Sequence, residues 1–363
     1  MNRAIFAILA LFFFTQASHA KEAENDWQLL PFKRIEPNAP IITPRADSIF
    51  HCPIQHRDVS WEIDHTFNPA AIVRNGAVYL FYRAEDNYGT GIGYHTSRLG
   101  LAISTDGIHF TRTDTPVLFP DHDGQAAFEF PGGCEDPRIV ETEEGLYVMT
   151  YSQWNTELVV LGVATSRDLI HWKKHGYAFA GKIQRHWSKS GSIVCRQEGD
   201  RLIATKLHGK YWMYWGDLHM HIAVSDDLIS WHPLQNEQGE LLSVLMPRAG
   251  YFDSSLVEPG PPALITQKGI LLLYNGKNCP QNGDPHLTPN TYSAGQVLFD
   301  LNNPTKVLAR SSTCFLTPEA SYEKRGQYEG GTVFIQGLTH FKERWFLYYG
   351  AADAGVGVAT CDH

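Results

Sequence analysis

Residues 132–138 read GGCEDPR, two adjacent acids and a base set between a glycine pair and a proline. Such a cluster is either a solvated turn held by a local ion pair or a carboxylate fixed at the start of a strand and aimed into a pocket. Other acids stand in comparable places. Glu85 and Asp86 follow FYRA, Asp217 ends MYWGD, Glu258 stands in VEPGPP, and Asp353 ends YYGAAD. Carboxylates bind hydroxyls, and the aromatic residues beside them offer faces on which a sugar ring can stack. Glycoside cleavage needs two carboxyl groups, one protonated to serve the leaving oxygen and one ionised to activate water or attack the sugar. Their surroundings must push the two pKa values apart. Arg138 beside Asp136 favours the ionised form. That works against Asp136 as the acid unless Arg138 points to substrate or pairs with Glu135. Pro137 is expected to keep Asp136 extended.

These acids are some 60 residues apart, so the fold must gather them. STDGIHF (104–110), SRDLIHW (166–172) and SDDLISW (225–231) share a Ser-x-Asp-x-x-x-aromatic pattern after a short apolar run. Ser and Asp can hold a tight turn while the aromatic packs back onto a sheet. A second element recurs as VYLFYRAED, LYVMTYSQW, YWMYWGD, ILLLYNGKN and WFLYYGAAD. Five copies of a roughly 60-residue unit of short strands, without long amphipathic windows, predict an all-β, five-bladed β-propeller. A β-sandwich would not require five matching units. Residues 21–50, with Pro31, Pro37, Pro40 and Pro44, read as an extended lead-in.

Composition narrows the function classes. The chain has 363 residues and a formal net charge of −9 without a basic run, which argues against nucleic acid and anionic membranes as partners. Residues 1–20 carry Arg3, an apolar run and a small-x-small end, the pattern of a signal peptide cleaved after Ala20. No cysteine stands directly after Ala20 and the apolar run is short for a membrane span, so no membrane anchor is expected. The expected organisation is a signal peptide over 1–20 and one catalytic domain over 21–363, exported to the periplasm or medium. Six scattered cysteines read mostly as single buried thiols. HMH at 219–221 lacks the spacing of a metal hydrolase, so neither metal nor cofactor is expected.

From FNPAAIV (67–73) to GVGVA (355–359), the chain resembles glycoside hydrolase family 130, five-bladed propellers that include β-mannoside phosphorylases and β-mannosidases. The resemblance is carried by FNPA, FYRAED, LAISTDG, GGCEDPRIV, KSGSIV, EPGPPALIT, YSAGQVLFDLNNPTKVLAR and YYGAAD. It implies Asp136 as the general acid, and Asn68, Arg83, Lys189 and Asp353 as lining a sugar site, with Asp86 and Arg138 among the substrate-binding candidates. It also implies a mannose-containing oligosaccharide as the partner.

The phosphorylases of this family carry cationic residues where this chain has Trp215–Gly216 and Asn275. Asp217 and Glu258 bring negative charge to the same region, which repels phosphate and suits a base for water. The resemblance therefore leans to the hydrolytic, exported members acting on β-1,2-linked mannosides with inversion. Glu258 is the better base, helped by the shorter Asp217. Lys189, Lys182 and Arg185 keep phosphorolysis open. A non-catalytic sugar-binding propeller would need the aromatics and acids but no opposed acid–base pair.

Overall fold

The computed structural model describes residues 26–89, 91–179, 185–328 and 330–362. Residues 1–20, with the expected signal peptide, and Lys182 lie outside them. The described chain is all-β: 25 strands, one four-residue helix at Ala126–Glu129 and one 3-10 turn at Ser321–Glu323. The strands follow one another as antiparallel meanders. The first runs His65–Arg74, Ala77–Glu85, Ser97–Ser104 and Thr111–Arg112. The second runs Gly133–Glu141, Tyr147–Trp154, Val159–Ser166 and Lys173–Tyr177. Two more follow around Tyr211–Trp215 and Ile270–Lys277.

The last meander, Val333–Phe341, Arg344–Ala351 and Gly355–Cys361, takes its outer strand from the other end of the chain. Lys33–Arg34 pairs with Thr360 and Ala359, and Ile42 bridges to Val356. The proline-rich segment is thus partly a strand. The sequence reading missed it because a two-residue pairing across more than 300 positions leaves no local period.

The three Ser-x-Asp segments form the same turn. In each, the Ser hydroxyl accepts the amide of the residue three on: Gly107, Leu169 and Leu228 at 2.8, 2.8 and 2.9 Å. The Asp carboxylate accepts the amides that follow. The residue at the turn's left-handed position has φ of 80° (Gly107), 69° (Leu169) and 67° (Leu228). Trp172 and Trp231 then donate their indole N–H back to Leu169 and Leu228.

The core lies between successive sheets. Leu99, Leu101 and Phe81 of the first pack on Ile139, Met149 and Tyr151 of the second. Leu80 and Val73, on the other face of the first, pack on Phe346 and Val358 of the last. All six cysteines are free thiols, four of them buried.

Gly133 shows why the acid pair follows glycines. Its φ is 114°, and a Cβ there would lie 2.1 Å from the backbone oxygen of Ser97. A left-handed residue meeting immovable backbone is costly. Gly133→Ala is expected to lower unfolding stability by about 2 kcal/mol or more, read by denaturant unfolding. A loss within error would show that the strand can shift without penalty.

Candidate active site

Two central strands break register where a predicted site residue sits. The break is between Phe67 and Ala70 in one strand and between Glu135 and Arg138 in another. The extra residues are Asn68-Pro69 and Asp136-Pro137. Proline has no N–H to give the ladder, so the strand bulges there. Asn68 has φ 44° and Asp136 φ 49°, and Ser190 and Asp353 are also left-handed at 61° and 51°. The expectation of an extended Asp136 is corrected: the bulge turns its side chain out of the alternation of the strand. Non-glycine residues in this region are uncommon and mark sites held by their surroundings.

One cavity is lined by Asn68, Arg83, Glu135, Asp136, Lys189, Glu258 and Asp353, with Phe67, Trp154, Trp187, Tyr292 and Tyr328 among its apolar walls. Asn68 Nδ2 donates to Asp136 Oδ1 at 2.9 Å. Arg83 lies over the Phe67 ring and reaches Glu135 at 2.8 Å and Asp136 at 3.5 Å, and it also pairs with Glu85. Lys189 Nζ stands between the two principal carboxylates, 3.4 Å from Asp136 Oδ2 and 3.6 Å from Glu258 Oε1. Those two oxygens therefore lie no more than about 7 Å apart. Ser190 Oγ donates to Glu258.

The predicted residues divide into those that converge and those that do not. Asp136, Glu258, Asn68, Arg83, Lys189 and Asp353 converge. Asp217 borders an adjoining cleft instead, where its carboxylate accepts the Trp187 indole N–H at 2.8 Å. Arg138 does not reach the cavity: it is buried and donates to the carbonyls of Gly260 (2.7 Å), Pro259 (2.8 Å) and Asp136 (3.2 Å). Its charge is spent on backbone at the centre of the molecule, so its placement among substrate-binding residues is corrected. Asp86 is also turned away. It pairs with Arg98 at 2.7 Å and accepts the amides of Tyr88 and Thr96, pinning the loop that carries Ile92 and Gly93 to the cavity rim. Asn275 clamps the backbone of Ile335 through both ends of its amide. Arg185 stacks on Phe128, 3.6 Å from the ring centroid.

Sequence reasoning passed over Glu135 as a site residue, together with Ser190, Gln327 and the aromatic walls. Glu135 was legible as half of the acidic pair. Tyr292 and Tyr328 carried no local signal.

Burial opposes ionisation of Asp136, but Lys189, Arg83 and the Asn68 amide outweigh it and hold the carboxyl below its ordinary range. Burial pushes Glu135 up, against the pull of Arg83. Burial likewise raises Glu258, against Lys189, with Asp217 adding to the rise. Enclosure raises Asp353 from its ordinary 3.8 to about 7 despite Arg83. The centre can therefore keep one carboxyl ionised and others protonated near neutrality, which is what acid–base work on a glycoside requires.

The raised carboxyls fix a sign. Between 3.8 and about 7 the folded state binds a proton at Asp353 that the unfolded chain has released, so stability falls as pH rises through this window. Glu135 acts in the same direction. Asp136 acts oppositely, its stabilisation being lost as pH falls below the ordinary carboxylate value. Asp353→Asn is expected to flatten the decline of melting temperature across that window, measured by calorimetry. An unchanged slope would show that Asp353 titrates as an ordinary carboxylate.

Comparison with known proteins follows this geometry. Residues 32–363 match the family model Glyco_hydro_130, described as beta-1,4-mannooligosaccharide phosphorylase. A 1,2-beta-oligomannan phosphorylase of Thermoanaerobacter sp. (strain X514) is 31% identical over 338 residues, 92% of this chain and 98% of that one. A crystal structure of a glycosyl hydrolase from Bacteroides ovatus is 51% identical with a TM-score of 0.90, covering 92% of this chain and 94% of that one. Another solved structure, from work on GH130 glycoside hydrolases that target beta-1,2 mannosidic linkages in Candida mannan, is 51% identical with a TM-score of 0.91 and the same coverage. With the family match running from the first meander's lead-in to the last described strand, the chain belongs to glycoside hydrolase family 130.

Proposed function

We propose that this protein is an exported β-mannosidase that hydrolyses β-1,2-linked mannosides with inversion. In this reading residues 1–20 are a signal peptide, and 21–363 form one five-bladed β-propeller whose inner strands end at the cavity. Asp136 is the acid, and Glu258, assisted by Asp217, is the base for water.

One observation carries the hydrolytic reading. Among the described residues, the cations lining the cavity are Arg83 and Lys189, and both are engaged by carboxylates. Glu258 is buried on the side where a phosphate would have to attack, and Arg185 is stacked elsewhere. A dianion there would meet carboxylates in a low-dielectric pocket, which is repulsive. A water held by Glu258 meets no such barrier. The likeness to solved hydrolases at 51% identity supports the same choice.

The low pKa of Asp136 shapes the mechanism. Before substrate arrives, the proton of the pocket rests on Asp353 and Glu135, while Asp136 is the carboxylate that Lys189 and Arg83 hold ionised. Sugar hydroxyls that draw Lys189 and Arg83 away weaken that hold. Asp136 then gains a proton and can give it to the leaving oxygen. Glu258, in its ionised form, takes the proton of the attacking water.

Phosphorolysis is the second reading, favoured by the names of the curated relatives at 31% and 28% identity. The deciding assay follows β-1,2-mannobiose with and without inorganic phosphate. Free mannose at a phosphate-independent rate is expected. Mannose 1-phosphate formed only with phosphate would return the phosphorylase reading, and no turnover in either condition would leave a sugar-binding protein. Asp136→Asn is expected to slow mannobiose cleavage by about 10²–10⁴-fold and an activated aryl mannoside much less. Glu258→Gln should slow both alike, since each needs the water activated. Near-normal rates in Glu258→Gln with a dead Asp217→Asn would move the base to Asp217.

A further inference from the structure

Beside the cavity, on the far side of Arg83, three side chains meet that the proposed reaction does not use. His65 begins the first central strand, and Glu85 is its cross-strand partner on the next. His95 stands in the loop that returns to the strand Ser97–Ser104. One nitrogen of each imidazole and one Glu85 oxygen lie within 4.8 Å of one another. We propose that His65, Glu85 and His95 form a binding site for a zinc ion, independent of which reaction the cavity performs.

The geometry is that of a chelate closed from three directions. The imidazole rings face each other nearly perpendicularly, 77° apart with centroids at 5.5 Å, so they do not stack and their nitrogens can converge. His65 Nδ1 is already 3.0 Å from Glu85 Oε2. Ligand atoms on a tetrahedral zinc with bonds of about 2.0–2.1 Å sit roughly 3.4 Å apart. The remaining separations, all within 4.8 Å, shorten on binding. His95 is oriented from behind, its Nδ1 lying 2.7 Å from the carbonyl of Asp86. Such a bond selects the tautomer with the other nitrogen free to ligate and is typical behind metal-bound histidines. The Asp64 carboxylate lies 3.4 Å from the same His95 Nδ1, so it too orients the ring from behind.

Charge favours a cation here. With Glu135 and Asp353 set aside as the protonated pair, the carboxylates of Asp64, Glu85 and Asp136 still outnumber the cations Arg83 and Lys189. Burial is deep: Glu85 is 0% and His95 6% exposed. Two imidazoles and one carboxylate select zinc over calcium or magnesium, which take oxygen ligands. His65 stays partly open on the solvent side, which gives the ion a route in. Ligation replaces the His65–Glu85 hydrogen bond: the Nδ1 proton passes through solvent to Nε2, leaving a neutral imidazole with Nδ1 free to bind.

The test uses the full-length protein after export processing, stripped with chelator. Zinc chloride is titrated by calorimetry, and cobalt(II) is added as a visible-absorption probe of ligand geometry. One zinc per chain and a tetrahedral-type cobalt spectrum are expected. His95→Gln should weaken zinc by about tenfold or more and abolish the cobalt signal. His65→Gln, checked for folding by circular dichroism, should do the same. If no stoichiometric uptake occurs, the cluster only orients Glu85 against Arg83 and the proposal fails. Uptake unchanged by His95→Gln would place the ion elsewhere, for instance at His219 and His221, and overturn it equally.

Discussion

The structure depends on a requirement that backbone carbonyls at its centre be satisfied without a neighbouring strand. Where the central strands bulge, carbonyls leave the ladder. Buried carbonyls without partners are strongly disfavoured. Three side chains answer that need. Gln336, itself the extra residue of a bulge, donates to the carbonyls of Asn68 and Pro137. Arg138 donates to Pro259 and Gly260, and Asn275 brackets Ile335. These bonds tie the first, second, fourth and fifth meanders together behind the cavity floor. Asn68 and Asp136 can then occupy left-handed backbone facing the cavity.

On that floor the electrostatics follow from crowding. Five carboxyl groups share two cations within one enclosed region, so they cannot all ionise together. Asp136 is the one that both Lys189 and Arg83 reach and to which the Asn68 amide donates, while Arg83 meets Glu135 and Glu85 more closely. Asp353 and Glu135, enclosed with less compensation, move upward. Asp217 has a different position. It is tethered by Trp187, whose side chain is 51% exposed and borders both the cavity and the adjoining cleft. Its influence on Glu258 is through charge, which fits an assisting role.

The repeat was legible because the Ser-x-Asp turn is a local device. The same hydroxyl and carboxylate hold the same amides wherever the motif occurs, so the spacing of the motif reports the spacing of the sheets. The acidic pair at 135–136 was legible for a similar reason: glycines at which a Cβ would clash precede it, and a proline that breaks the ladder follows it. The N-terminal strand Lys33–Arg34 was not legible, since its partner at Ala359–Thr360 is chosen by closing the last sheet.

By itself, the sequence determined the all-β character, the unit length and the family, and it named nine candidate residues of which six line the cavity. Each of these rests on local pattern or on motifs a few residues long. Tertiary structure decided the direction of each charged side chain. Arg138 and Asp86 stand two and three residues from converging groups, yet one turns to the central carbonyls and the other to Arg98. Along a strand successive side chains leave on opposite faces, and a bulge resets that alternation. Nothing in the residue types says which side of the reset a charge will take, because the choice is made by carbonyls contributed from strands about 120 residues away.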